Sequence, residues 1–500
     1  MSRFIRLLSC LLVSGLCGCA PENLPSVNIF VTSDIEGVFW SRPEPRRGNE
    51  VSGGLAILKS FLDQQSKDQE TPFLVLEGGN WFSQTPEGTL TQGEYFNQVA
   101  ASIPYSGRFF TDKDLIYGWG SLSRIIEQSP APFVLTNVRL GNQQLPRGAQ
   151  PWLLKNVGSY KIGILSVLPM QTLKGKQRLG GLRILPEVEE TQKTVQLLRE
   201  KGAQMIVVLS ALGPGDNQEA VTDRNLAEEV PGIDVIISSN QGRDEAEAIS
   251  VGKTLIVYPS ARLDSVGKIQ FSFYKNGELA STHFEDVVLY RKDFGEDRTV
   301  ALQIADLRRT IRSQMGRPVG KSTQTLSGNF NGESILGDWA ADCLRKWAKA
   351  DAAIINSSSF RGVLPEGTVT QYDLYNLYPY SDHVTYLTIK GRALLEALEE
   401  GLKVPDNFAQ ISGLSITYHA QAPGRKITSV LIDDKPLALE STYRVAVTDY
   451  MLAGGAGHDG FIDSLEFKNT QVEMNTILRL CLAGKNAVTA PTGSRWKVKK

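Results

Sequence analysis

The feature that most restricts how this chain can fold is a recurring alternation of short apolar runs with amphipathic stretches. Val27-Asn28-Ile29-Phe30-Val31-Thr32 reads as a strand that ends at Ser33-Asp34. Gly53-Gly54-Leu55-Ala56 opens a helical pattern running to about Gln65, and Phe73-Leu74-Val75-Leu76 is a second apolar run, stopped by Gly78-Gly79. Residues 132–135, 161–167, 205–209 and 234–238 repeat the theme, with a helical pattern over 188–201. Short runs without polar alternation, separated by helices, indicate sheets buried on both faces of an α/β unit. Residues 268–274 and 284–290 predict a hairpin that closes this unit.

A polar helical run over 299–315, with no strand pattern on either side, reads as a connector. A second α/β unit follows. It has a helix over 333–350, a buried strand Ala352-Ala353-Ile354-Ile355 ending at Asn356, a helix over 391–401, and strands over 414–419, 429–432 and 443–448. A chain of 500 residues with 41 % apolar content suits two or three domains. The expected division is a leader at 1–19, a first domain at 20–290, a helical linker at 291–319 and a second domain at 320–500. With 53 basic and 54 acidic residues the net charge is −1, which gives no electrostatic reason to expect nucleic acid as a partner.

Arg3 and Arg6 precede an apolar stretch at 7–16 that suits a signal sequence and is too short to span a bilayer. Leu16-Cys17-Gly18-Cys19-Ala20 resembles a bacterial lipobox, which implies lipidation of Cys19; an ordinary signal peptide cut nearby is the alternative. Several acyl chains would anchor the protein stably, because each buried methylene adds about 0.8 kcal/mol. Ala20, where Asp would favour the inner membrane, points to the outer membrane facing the periplasm, with the cell surface as the other location. Cys10, Cys17 and Cys19 lie in the leader. Cys343 and Cys481 remain, each in an apolar helix-like pattern; export permits a disulfide, but two buried free thiols are expected.

Four segments in the second unit carry a family resemblance. Glu333-Ser334-Ile335-Leu336-Gly337-Asp338 looks like an E-S-x-L-G-N helix start, and Asn356-Ser357-Ser358-Ser359-Phe360-Arg361 looks like an N-G-G-G-I-R loop. Tyr378-Pro379-Tyr380-Ser381 is similar to L-P-F-G. The run from Val447 through Thr448-Asp449-Tyr450 to Gly454-Gly455-Ala456-Gly457 resembles N-D-F-x-x-x-G-G-D-G. In the first unit, Thr32-Ser33-Asp34-Ile35-Glu36-Gly37 sits where T-N-D-x-H-G is found. Glu77-Gly78-Gly79-Asn80 stands for D-x-G-D, Thr111-Asp112-Lys113-Asp114 for G-N-H-E, and Leu209-Ser210-Ala211-Leu212-Gly213 for L-S-H-L-G. In this order the motifs resemble the bacterial 5′-nucleotidase and UDP-sugar hydrolase family over residues 28 to 480. The resemblance implies a four-layer α/β/β/α metallophosphatase-like sandwich followed by a smaller α/β nucleotide-binding domain.

That family hydrolyses phosphate esters with two divalent cations about 3.5–4 Å apart, which acidify a bridging water and clamp the phosphoryl oxygens. Imidazole and carboxylate ligands suit such metals. Here the four histidines are His283, His383, His419 and His458, so nothing before residue 283 can supply an imidazole. By position Asp34 is retained, Glu36 replaces a His, and Asn80 replaces the bridging Asp. Asp112 and Lys113 stand for the catalytic Asn and His, and Ala211, Asn240 and Gly242 for the last three His ligands. The expectation is that no metal cofactor is bound and that Lys113 pairs with Asp34 or Glu36. The alternative is one oxygen-bound Mg²⁺ or Ca²⁺ on Asp34, Glu36, Asn80, Asp112 and Asp114.

In the second domain the resemblance places Tyr380 and Tyr450 at the two aromatic positions that stack a nucleobase, a contact worth about 1–3 kcal/mol. Asn356 and Arg361 fall on polar positions that contact base and phosphate, and Arg361 suits bidentate anion binding. Ala456 replaces the Asp that holds the ribose hydroxyls, and the serines at 357–359 replace glycines. His383 and His458 are rim donors or, as lone histidines more often are, structural. Three functions follow as expectations. The first is a catalytically impaired envelope lipoprotein that binds a nucleotide or small phosphorylated ligand, or a protein partner. The second is an active phosphoesterase with a single carboxylate-held metal, and the third a structural envelope protein with disused sites.

Overall fold

The computed structural model describes residues 24–499 except 45–46, 69–70, 83–84, 174–180, 215–219, 240–241, 381, 405–406, 420–425 and 485. Cys19 and Asn240 therefore lie outside the described residues. Strands β1 (Ser26–Thr32) and β2 (Phe73–Glu77) run parallel within a seven-stranded sheet. Strands β3 (Tyr160–Val167), β4 (Met205–Ser210), β5 (Val235–Ser238) and β6 (Thr254–Tyr258) are parallel neighbours in a six-stranded sheet. The expected hairpin, β7 (Ser265–Phe273) and β8 (Leu279–Val288), closes the first sheet beside β1.

Strand periodicity decides the layering. Val207 and Leu209 of β4 share a core with β1 of the other sheet, whereas Ile206 and Val208 pack with Val195 and Leu198 of the helix Glu187–Glu200. On the first sheet Phe30 turns to helix α1 (Leu55–Asp68), where its ring meets Phe61 edge-on at 5.1 Å. The order helix, sheet, sheet, helix is the four-layer α/β/β/α sandwich.

Helix α2 (Pro86–Thr91) and helix α3 (Asp223–Glu229) ride on the N-terminal unit, and α4 (Arg298–Met315) is the connector. Asp297 caps α4 by accepting the Val300 N–H at 2.8 Å. Strand Pro318–Ser322 follows α4 almost at once and pairs with Gly367–Thr370, a short strand that the sequence pattern did not show. Next come α5 (Ile335–Ala348), α6 (Gln371–Leu377), α7 (Asp449–Leu452) and α8 (Met474–Leu482). The C-terminal five-stranded sheet contains β9 (Ala352–Asn356), β10 (His383–Lys390), β11 (Ala409–Ser412), β12 (Thr442–Thr448) and β13 (Glu466–Glu473), in the order β11-β9-β12-β10-β13. Helices α5 and α8 cover one face, and the helix Gly391–Gly401 covers the other.

The expectation of free thiols is corrected. Cys343 of α5 and Cys481 of α8 form a disulfide with Cα atoms 5.8 Å apart. Each cysteine lies on an apolar helix face, as the pattern indicated, but only the tertiary packing shows that the two faces meet.

The connector is held by one carboxylate. Glu87 of α2 is 1 % exposed, and its Oε1 accepts Arg308 Nε of α4 at 3.1 Å and the Tyr372 hydroxyl of α6 at 3.1 Å. The Arg308 guanidinium also lies 3.8 Å from the centre of the Trp40 ring. Elements before, within and after the connector thus converge on Glu87.

Two measurements check these contacts. The disulfide closes a loop of 138 residues, for which chain entropy gives at most about 5 kcal/mol; Cys343→Ser with Cys481→Ser is expected to lower Tm clearly, and an unchanged Tm would refute the bridge. Glu87→Ala is expected to cost about 3 kcal/mol in denaturant titrations, because it strands the largely buried Arg308; a loss below about 1 kcal/mol would show that the junction contributes little.

Candidate functional site

The site lies where strands of both sheets end. Asp34 follows β1 and Asn80 follows β2; both are buried, and they adopt positive φ of 50° and 56°. Glu36 does the same at 53°. Three non-glycine residues in this region are unusual and persist only where surrounding contacts hold them. Those contacts are main-chain bonds between the two loops. Asp34 N donates to Gly79 O at 3.0 Å, Glu36 N to Asn80 O at 3.0 Å, and Gly37 N to Trp81 O at 3.0 Å.

Side chains then neutralise one another. Asn80 Nδ2 donates to Asp34 Oδ1 at 2.6 Å and Ser33 Oγ to Asp34 Oδ2 at 3.1 Å. Burial raises the Asp34 carboxyl above its ordinary range, and the Lys113 ammonium and the Asn80 amide pull it back. The charge of Lys113 thus reaches Asp34. The Glu36 carboxylate lies 3.7 Å from Arg262 Nη1. Arg262 also bonds Asp244 and donates its main-chain N–H to Asp34 O at 2.8 Å. A Cβ at Gly242 would stand 2.9 Å from Glu36 Oε1, so Glu36 occupies the space beside this last His position.

Asp114, offered by the sequence as an oxygen ligand, is a loop clamp instead. Its carboxylate accepts the N–H groups of Asn80 at 2.6 Å, Trp81 at 2.9 Å and Thr111 at 2.9 Å. Asp112 and Lys113 start the short turn that Thr111 caps, and both are half-buried. Among the described residues, no group of three or more His, Cys, Asp or Glu side chains is arranged to hold a metal ion. The donors do not fit a pair of cations: one Asp34 oxygen takes the Asn80 amide, Asp114 faces backbone, and Arg262 sits on Glu36.

Two further charged groups support the loops from below. Glu77 is fully buried; it accepts the Gly79 N–H at 3.0 Å, and burial lifts its carboxyl well above the ordinary range while Arg108 opposes the shift. Arg108 lies 4.7 Å from the Trp81 ring centre and 4.9 Å from that of Phe133. Asp223, the first residue of α3, accepts the hydroxyls of Ser210 and Ser238 at 2.5 Å each and ties the ends of β4 and β5 together.

The C-terminal candidates gather on three segments. Arg361 Nε donates to the Tyr380 hydroxyl at 2.8 Å. Burial and the Arg361–Tyr380 contact chiefly set the acidities of these two groups, and the charge of Glu36 also acts on both. Tyr450 is 47 % exposed, and its ring lies against Gly455, where a Cβ would meet the ring at 2.6 Å; only glycine permits this approach. The Asn356 amide is engaged within its own loop, donating to Ser358 Oγ at 2.8 Å and accepting from Ser359 Oγ at 2.8 Å. Ser357 Oγ donates to Phe330 O at 2.7 Å, so all three serines brace the loop. His458 is a buried structural residue stacked on Phe461 at 5.4 Å, and burial lowers its pKa to about 4. His383 Nδ1 lies 3.3 Å from Asp449 Oδ2.

Sequence reasoning missed Arg262 and Asp223. Arg262 stands in a positive-φ pair with Leu263, which no local pattern signals. Asp223 was open to detection, since Thr222-Asp223-Arg224-Asn225 reads as a helix start.

Fold and site together define a metallophosphatase-type sandwich joined to a 5′-nucleotidase C-terminal unit. Residues 317–463 match the family model described as the 5′-nucleotidase C-terminal domain. The chain is 23 % identical over 523 residues to the 5′-nucleotidase of Vibrio cholerae, covering 93 % of this chain and 92 % of that one. The structure of a 5′-nucleotidase precursor from Thermus thermophilus matches with a TM-score of 0.77 at 21 % identity, covering 95 % of this chain and 99 % of that one. The sulfate thiohydrolase SoxB of Thermus thermophilus, solved with glycerol, matches with a TM-score of 0.70 at 16 % identity, over 94 % and 96 % of the two chains. The C-terminal unit thus matches the 5′-nucleotidase C-terminal domain, and the chain as a whole is similar in sequence and fold to 5′-nucleotidases.

The buried carboxylate of Asp223 makes stability pH-dependent. Burial raises its pKa from 3.8 to about 6 against the pull of both serine hydroxyls. The folded state therefore holds this proton more tightly than the unfolded one, and the group's contribution falls as pH rises from about 4 through 6. Asp223→Asn is expected to flatten that decline by on the order of 1–3 kcal/mol in urea titrations between pH 4 and 7. An identical slope in variant and parent would contradict the assignment.

Proposed function

We propose that this protein is a 5′-nucleotidase-family lipoprotein of the bacterial envelope. On this proposal it no longer hydrolyses phosphate esters and binds a nucleotide or a small phosphorylated ligand. The observation that carries the proposal is the internal neutralisation at the strand ends. Asp34 is bonded by Asn80 and under the charge of Lys113, while Glu36 faces Arg262. An ammonium or guanidinium balances carboxylate charge but does not acidify a water as a divalent cation does. The absence of any His before residue 283 points the same way. Tyr380, Arg361 and Tyr450 support retained binding, with two aromatic faces and one guanidinium on adjacent segments.

Among the described residues no helix is long and apolar enough to cross a membrane. Attachment would then come from the lipid at Cys19, and a protein partner in the envelope remains compatible with the same surface.

Purified protein incubated with AMP or a UDP-sugar and Mg²⁺, Mn²⁺ or Co²⁺ is expected to release no phosphate above background, and elemental analysis to find no stoichiometric divalent metal. Turnover abolished by Asp34→Ala would overturn the proposal in favour of the single-metal enzyme. Thermal-shift titration with nucleotides is expected to raise Tm, and Tyr380→Ala to remove most of the shift. No shift across a broad nucleotide panel would leave the structural role.

A further inference from the structure

A cleft of about 410 Å³ lies beside the connector, between α4, the first turn of α1 and the loop at Trp40 and Ser41. Its volume falls in the range of small-ligand sites, about 300–1,000 Å³. It shares no lining residue with the strand-end loops or with the Tyr380 and Tyr450 pocket. On α4 the lining positions are 301, 304, 305, 308, 309 and 312, and steps of three and four place them on one helix face. This stripe changes character along its length. Ala301, Ile304 and Ala305 make the first half apolar, with Ala56 of α1 and Trp40 as the other walls. Arg308, Arg309 and Arg312 make the second half basic.

The walls are fixed by contacts outside the cleft. Asp297 N donates to Ala56 O at 2.9 Å and pins the start of α4 to α1. Leu55 N donates to Phe39 O at 3.0 Å and pins the Trp40 loop to the same helix. At the apolar end the Ser41 hydroxyl donates to the Glu296 carboxylate. At the basic end Arg308 is held between the Trp40 ring, 3.8 Å from its guanidinium, and Glu87. Glu87 balances Arg308, and Asp306 lies 3.5 Å from Arg309, where both side chains are so exposed that the pairing contributes little. Arg312 lies 5.4 Å from the centre of the Tyr372 ring, and among the described residues no carboxylate pairs with it. The basic end therefore carries guanidinium donors beyond those its acids occupy.

Apolar wall and guanidiniums set end to end suit an amphiphilic anion. Its body would leave water against Ile304 and Trp40, and its head would accept charge-assisted hydrogen bonds from arginine. We propose that this cleft is a second ligand site, which takes an organic anion with its charged head at Arg309 and Arg312 and its apolar body along Ile304 and Ala305. The site is independent of the nucleotide binding proposed above.

Fluorescence titration of the purified chain with anilinonaphthalene sulfonate, an aromatic anion, tests it. Saturable binding at one site per chain is expected. Naphthoate is expected to displace the probe, and neutral naphthalenemethanol to need at least about tenfold more for the same effect. Arg309→Ala combined with Arg312→Ala is expected to weaken the probe at least about tenfold. Ala305→Trp, an exposed position where a large ring fills the cleft without changing its charge, is expected to abolish binding. Tyr380→Ala is expected to leave the affinity within about twofold, since it lies in the other pocket. No saturable binding, or an affinity unchanged in both cleft variants, would overturn the proposal. Equal displacement by the neutral alcohol would remove the role of the arginines, and loss of binding in Tyr380→Ala would assign the probe to the nucleotide pocket and likewise overturn it.

Discussion

The strand-end site depends on how it balances the negative charge that its loops bring together. Asp34, Glu36, Asp112 and Asp114 lie on segments that meet where the two sheets end, with Glu77 buried behind them. Removing carboxylates from water is costly unless each is paired or hydrogen-bonded. Divalent cations are one way to meet that demand. Protein groups act on each of these carboxylates: the Lys113 charge and the Asn80 amide on Asp34, Arg262 on Glu36, three main-chain N–H groups on Asp114, and the Arg108 charge on Glu77.

Asp34, Glu36 and Asn80 adopt positive φ, and main-chain bonds hold the two loops together. Such conformations are tolerated because the surrounding contacts over-determine them. A loop frame of this kind does not by itself fix the chemistry of the site, since fold does not imply function. The likeness to solved structures at 16–21 % identity therefore shows the fold and does not bear on activity.

Much of the architecture was legible because it follows from periodicity. The parallel strands around residues 30, 75, 164, 207 and 236 are continuous apolar runs, and the connector helix at 298–315 follows its own pattern. Strand β13 escaped notice because it is an edge strand, largely exposed, with no apolar run. The Cys343–Cys481 bridge and the Glu36–Arg262 contact join residues 138 and 226 positions apart, and no local signal reports a contact at that range. That no imidazole precedes residue 283 could be read by counting alone, whereas the contact of Arg262 with Glu36 could not. Asn356 matched a motif, but the serines that replaced glycine at 358 and 359 now hold its amide.

Electrostatics also links the two halves. Glu36 is read on one side by Arg262 and on the other by Arg361, which in turn holds the Tyr380 hydroxyl. An anionic ligand arriving at Arg361 meets an attractive guanidinium with the Glu36 carboxylate beyond it. Passage of a phosphate further in, toward Asp34, would bring like charges together in a poorly solvated space, where such repulsion is strongest. On the proposed function the same arrangement that favours an anion at the entrance therefore opposes its approach to the strand ends. Binding and hydrolysis are separated by one row of charge, with Glu36 as the residue both halves share.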